Sequence, residues 1–201
     1  MHSRYSNYIT VSAGIYFALA LLLLTLPLKW LLAAIISASV HEMCHIAMIK
    51  FLGLRIFSIR IGIYGAKIQT ESMSYTREIL CALAGPVGGL FLLPLARWIP
   101  RIAVCAAFHS LYNLLPVYPS DGGRALRCGI KLLAPIETAE KICSIIETCF
   151  LTFVTLLGFY GSFVLHLGFY PALIAFILVS RKLRLKIPLQ TGRSQGTIET
   201  L

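Results

Sequence analysis

Three residues in the run His41-Glu42-Met43-Cys44-His45 have the types and the spacing to hydrolyse a peptide bond with the help of a metal. On a helix, residues i and i+4 lie on one face about 6 Å apart along the axis, so His41 and His45 can each turn an imidazole nitrogen toward one zinc ion. Glu42 can reach a water at that ion, take its proton and later return it to the leaving amine. The run lies inside a long apolar segment, where a bilayer would exclude all three polar side chains. Ionisable residues at such depth carry function by default. A pair of core histidines facing a polar cavity is the plainer alternative.

A catalytic zinc needs a third protein ligand and one position left open. Asp121 is the only aspartate in the chain. Pro116 and Pro119, before it, end one helix, and Gly122-Gly123, after it, let the backbone turn into a basic amphipathic stretch starting at Arg124. An acidic residue at a broken helix suits a metal, since irregular backbone near membrane depth is tolerated only when buried in protein or lining a cavity. The competing role for Asp121 is to cap the helix that follows. Asn113 lies eight residues earlier, on the helical face of His109. Its amide can hold the scissile peptide or the developing oxyanion, or equally cap neighbouring carbonyls. His109 and His166 read as bundle histidines and stay outside the ligand set. The six cysteines include no Cys-x-x-Cys pair and read as small apolar packers, Cys44 among them. Neither a disulfide nor a cysteine-ligated zinc is expected.

The elements that must position these residues belong in a bilayer. Apolar residues make up 58% of the 201, charged residues 13%, and the mean hydropathy is +0.81, which marks an integral membrane protein. Spans are predicted at about 8–28, 31–51, 77–97, 101–117, 141–160 and 162–180. After the second, Phe57, Ile59, Ile61 and Ile63 alternate with Ser58, Arg60, Gly62 and Tyr64, the period of a strand. Tyr64-Gly65-Ala66 can turn the chain and Lys67 to Thr70 return it. The alternative is an amphipathic loop on the membrane surface. A hairpin here offers a free edge that could take an extended substrate as an added strand. The expected fold is therefore an all-α membrane protein, a polytopic bundle of about six transmembrane helices with a short membrane-associated β-hairpin after the second. Within the third span, Ala84-Gly85-Pro86-Val87-Gly88-Gly89 permits close helix approach or a kink. Residues 1–186 form the membrane-embedded core, and 187–201 a polar tail expected to be disordered except where its basic part meets lipid.

The net charge of +10 does not point to nucleic acid, since the basic residues follow topology. With a cytoplasmic N-terminus, six spans leave Lys29, Arg97 and Arg101 outside and the remaining fifteen of 18 Lys and Arg inside. Both termini are then cytoplasmic, in a cell membrane, with the tail against anionic headgroups. No small-x-small cleavage site precedes Lys29 and Trp30, so the first span is expected to be retained.

On these residues the chain resembles the site-2 proteases, a family of intramembrane zinc metalloproteases. Within that family it is most similar to the compact bacterial branch that processes the membrane-bound precursor of a sporulation sigma factor. His41, Glu42 and His45 fit the first family motif, Asn113, Pro116, Asp121 and Gly122 the second, and Gly85-Pro86 the Gly-Pro segment. Gly89 stands where many members carry asparagine, and Ser120 where an apolar residue is usual. The resemblance implies a six-span core with a membrane-inserted hairpin. It implies one zinc ion per chain on His41, His45 and Asp121, with Glu42 as general base. It also implies hydrolysis within or next to a transmembrane segment of a membrane-bound substrate, as in regulated intramembrane proteolysis that releases a tethered transcription factor. No segment is long enough for a PDZ module, and nothing after about residue 186 is expected to fold into a nucleotide-sensing domain. Substrate selection is thus expected to rest on the core and hairpin, on a regulatory membrane partner or on a further copy of the chain. The rival reading is a polytopic zinc carrier or a non-proteolytic zinc-binding membrane protein. A carrier would show several acidic or histidine residues along a path across the bilayer, whereas this chain has one histidine motif and one aspartate.

Overall fold

In apolar surroundings a backbone amide is best satisfied four residues away in its own segment, so the long apolar runs of this chain become helices. A computed structural model describes residues 8–62, 65–166 and 168–186. Along them run β1 (Tyr8–Val11), α1 (Ala13–Thr25), α2 (Leu28–Phe51), β2 (Ile56–Gly62), β3 (Gly65–Thr70), α3 (Tyr75–Leu90), α4 (Pro100–Asn113), α5 (Asp121–Leu133), α6 (Ile136–Phe159) and α7 (Tyr170–Lys186). The stretches Leu28–Phe51, Tyr75–Arg97 and Ile136–Val164 are long and apolar enough to cross a membrane. The second of these continues α3 through a 3-10 segment at Leu93–Arg97, and the third continues α6 through a π-helical segment at Tyr160–Val164. The chain divides into two compact units, the first ending at Leu114 and the second starting at Leu115. The expected tail, 187–201, lies outside the described residues.

In the first unit α2, α3 and α4 pack on one another. The buried face of α2 repeats every four residues through Ala33, Ser37, His41, His45 and Ile49. The buried residues of its neighbours are small: Cys81, Ala82, Gly85 and Gly89 on α3, and Ala103, Ala106 and Ser110 on α4. Small residues let helix backbones approach closely where lipid supplies no hydrophobic drive for association.

The hairpin is present. β2 and β3 run antiparallel, with Ile61 opposite Ala66 and Gly62 opposite Gly65. Ile63, the last apolar residue of the predicted strand, and Tyr64, the first of the predicted turn, lie outside the described residues. Two corrections follow. The first span does not begin at residue 8, because Tyr8–Val11 is a strand that pairs in parallel with Ser58–Ile61, and the Ser12 N–H donates to the Ile61 carbonyl at 2.9 Å. Tyr, Ile, Thr and Val all favour strands, and the apolar run that follows hides that preference from a reading by hydropathy. The hairpin is therefore two strands of a three-stranded sheet ordered β1-β2-β3. Its β2 edge is already paired, which leaves β3 as the outer strand on the other side.

In the second unit α6 packs between α5 and α7. Ala139, Cys143, Glu147 and Leu151 form its buried stripe, while Ile145, Phe153 and Leu156 are exposed in the pattern of lipid-facing side chains. Val117, Leu151 and Leu178 make a small apolar core. A β-carbon at Gly158 would stand 2.8 Å from the Pro171 carbonyl oxygen, so the missing side chain is what lets α6 and α7 meet there. The helix predicted over 141–160 starts earlier, at Ile136, directly after Pro135.

Candidate active site

His41 and His45 are buried on α2 with their Nε2 atoms 3.1 Å apart. His45 Nδ1 lies 2.7 Å from the Cys81 carbonyl oxygen of α3. A carbonyl can only accept, so Nδ1 donates to it, and in the neutral ring this leaves Nε2 as the nitrogen that could hold a metal. This is how metal-ligating histidines are usually held. Two nitrogens bound to one tetrahedral zinc at 2.0–2.1 Å lie about 3.4 Å apart, close to the separation seen here, so the pair fits that ion.

Gly85 makes the room. A β-carbon on it would stand 2.6 Å from His45 Cε1 and 2.7 Å from His41 Nε2. One turn along α3, Gly88 accommodates Cys44, whose β-carbon would lie 2.8 Å from an added one, so Cys44 packs between helices as expected. Gly89 abuts the Ser110 hydroxyl of α4, which takes up the space a side chain at that position would need. His109, also on α4, meets the His41 ring edge-on with centroids 4.5 Å apart. Its contact with His41 depends on how α2 and α4 pack, which no spacing along the chain encodes.

Glu42 is half-buried, and its Oε1 accepts from the Ala66 N–H at 3.4 Å. The hairpin thus returns to α2 at the residue whose carboxylate could act as a base. Asn113 ends α4 and its Nδ2 donates to the His109 carbonyl at 3.1 Å, which is the carbonyl-capping role weighed above.

In the second unit Asp121 is the buried first residue of α5. The cap is Ser120: its Oγ accepts from the Gly123 N–H at 3.4 Å and lies 2.6 Å from both the Leu115 and Val117 carbonyl oxygens, to which its single proton can be given. With Ser120 as the cap, Asp121 is relieved of capping. Asp121 Oδ1 lies 3.7 Å from Arg124 Nη1. Gly123 presses so closely on the preceding turn that a β-carbon would stand 2.6 Å from the Tyr118 nitrogen. Ser120→Ala is expected to cost about 1 kcal/mol, the usual loss of a helix cap. The check is the midpoint of thermal unfolding in detergent, and an unchanged midpoint would mean that the cap contributes nothing.

Over 162 residues the chain is 28% identical to Stage IV sporulation protein FB of Bacillus subtilis (strain 168), an alignment that takes in 74% of this chain and 55% of that protein. The fold matches that of Site-2 Protease from Methanocaldococcus jannaschii with a TM-score of 0.63, covering 98% of each chain at 16% identity. The chain has the fold of a site-2 protease. No family model matches it. The chain is a membrane protein, and it spans about half the length of the Bacillus relative. Its histidines and glutamate share one helix, and its aspartate heads another.

Proposed function

We propose that this protein acts as a site-2 protease and hydrolyses a peptide bond within or next to a transmembrane segment of a membrane-bound protein. The observation that carries the reading is the buried His41–His45 pair, with one tautomer set by Cys81 and Glu42 adjoining it. Two imidazoles and a carboxylate suit zinc, and three protein ligands leave one position for substrate or water, which assigns His41, His45 and Asp121 to the metal. When bound, the ion would polarise the scissile carbonyl and acidify a water. Glu42 takes the proton of the attacking water and later returns it to the departing amine.

A peptide bond inside a helix is already hydrogen bonded and shielded, so the substrate must be held extended. The outer edge of β3, which approaches Glu42 at Ala66, can accept such a segment as a strand, and the Asn113 amide can engage its carbonyls. The remaining assignments are six spans with both termini cytoplasmic, cleavage near the cytoplasmic face, and a membrane-tethered transcription factor as the class of substrate. The charge asymmetry supports the first two, and the likeness to a sporulation protein supports the third.

The test is metal content per chain in detergent-purified protein. About one zinc in wild type, with marked loss in Asp121→Ala, is the expected outcome for a three-ligand site. Well-folded wild type that holds no zinc would leave the histidines as bundle structure and remove the protease reading.

A further inference from the structure

Glu147 is an acidic residue halfway along a helix apolar enough to cross a membrane, and it is only 6% exposed. A carboxylate in such a place is costly unless donors match it. Its Oε1 accepts from Arg127 Nη2 of α5 at 3.2 Å and from the backbone N–H of Tyr118 at 3.3 Å. The Arg127 guanidinium also stacks on the Tyr118 ring, 4.6 Å from its centroid. Tyr118 is thus gripped twice, at its backbone by Glu147 and at its ring by the cation that Glu147 holds.

The place of Tyr118 gives this grip a purpose. It sits in the 115–120 turn, whose Leu115 and Val117 carbonyls are tied to Ser120, and whose backbone leaves no room for a side chain at Gly123. Asp121 follows three residues later, as the first residue of α5. Any slackening of the turn would therefore move the start of α5 and its carboxylate. Glu140, one helical face along α6, belongs to the same ion network through Arg127 Nη1 at 3.2 Å and Lys131 Nζ at 2.7 Å. The two acids differ in one respect that matters: the bond to the Tyr118 N–H is made by Glu147.

We infer that Glu147 is a positioning residue for Asp121, holding the 115–120 turn so that the carboxylate is presented in a fixed orientation to the metal. The inference rests on the zinc reading above. Its test is the zinc dissociation constant of the full chain in detergent, measured by competition with a chromophoric chelator, for wild type, Glu147→Gln, Glu147→Ala and Glu140→Gln. Thermal unfolding of the metal-free proteins is followed alongside. Glu147→Gln, which preserves size and an acceptor but surrenders the charge that orients Arg127, is expected to weaken zinc by about ten-fold or more, the usual effect of removing a group that orients a ligand. Glu147→Ala should weaken it further, and Glu140→Gln should leave it unchanged whatever it does to the unfolding midpoint. Should Glu147→Ala fail to fold, Glu147→Gln carries the comparison. Wild-type zinc affinity in both Glu147 variants, or equal weakening in Glu140→Gln and Glu147→Gln, would overturn the inference and leave the protease reading intact. Absence of zinc from folded wild type would overturn both.

Discussion

Glu42→Gln is expected to keep its zinc and its fold and to lose cleavage by about a thousand-fold or more, within the range that a positioned general base supplies. Glutamine has the same length and retains an oxygen that can accept from the Ala66 N–H, so the contact between α2 and β3 survives. The histidine pair does not depend on it, since His45 is oriented by Cys81. What is lost is the capacity to take a proton from water and return it to an amine. The measurement is product formation from a single-span substrate in detergent or liposomes, with metal content determined on the same preparation. Cleavage at the wild-type rate would remove Glu42 from the chemistry, and joint loss of zinc and cleavage would give it a structural role instead.

Gly85→Ala is expected to disable the site by a different route. The added carbon would fall on both imidazoles, at 2.6 Å from His45 Cε1 and 2.7 Å from His41 Nε2. Rotating the His45 ring out of the way breaks its bond to Cys81, and moving α3 back opens a face packed with small residues. Overpacking of this kind costs about 1–3 kcal/mol in an ordinary core. Here the strain falls on the two rings that would bind the ion, and zinc affinity is expected to drop by about a hundred-fold, the upper end of what misoriented ligands cost. Gly129→Ala is the control, because a β-carbon there meets nothing within 4 Å and alanine favours a helix. Chelator competition on both variants decides the matter. Normal zinc binding by Gly85→Ala would mean that the close approach of α3 is irrelevant to the histidines.

Much of this arrangement is legible before any coordinates, for reasons that differ between residues. His41, Glu42 and His45 are found because their spacing is a property of one helix, and α2 carries them on a face that repeats every four residues. The hairpin is legible for the same reason, since an alternation of apolar and polar residues is local. Gly85 illustrates the limit. The Ala84 to Gly89 cluster announces a close approach of helices, but which side chains arrive there depends on how α2 and α3 pack, and no spacing encodes that. Asp121 is legible as an isolated acid between helix breakers, whereas the cap beside it is not. Ser120 reads as a departure from the family pattern until its bonds to Leu115 and Val117 are seen. Glu147 is missed although a signal exists: Glu140 and Glu147 lie seven residues apart on one helix, and Arg127 and Lys131 four apart on another, the spacing of two faces made to pair.

The parallel strand at the start of the described chain has a consequence for the order in which the molecule assembles. β2 and β3 are neighbours in sequence and can zip as soon as both have emerged. β1 pairs Tyr8 with Ser58, so it must wait for about fifty residues, two helices among them, before the loop it closes exists at all. Closing that long loop costs more chain entropy than closing the short turn between β2 and β3, so the strand that approaches Glu42 can form without β1.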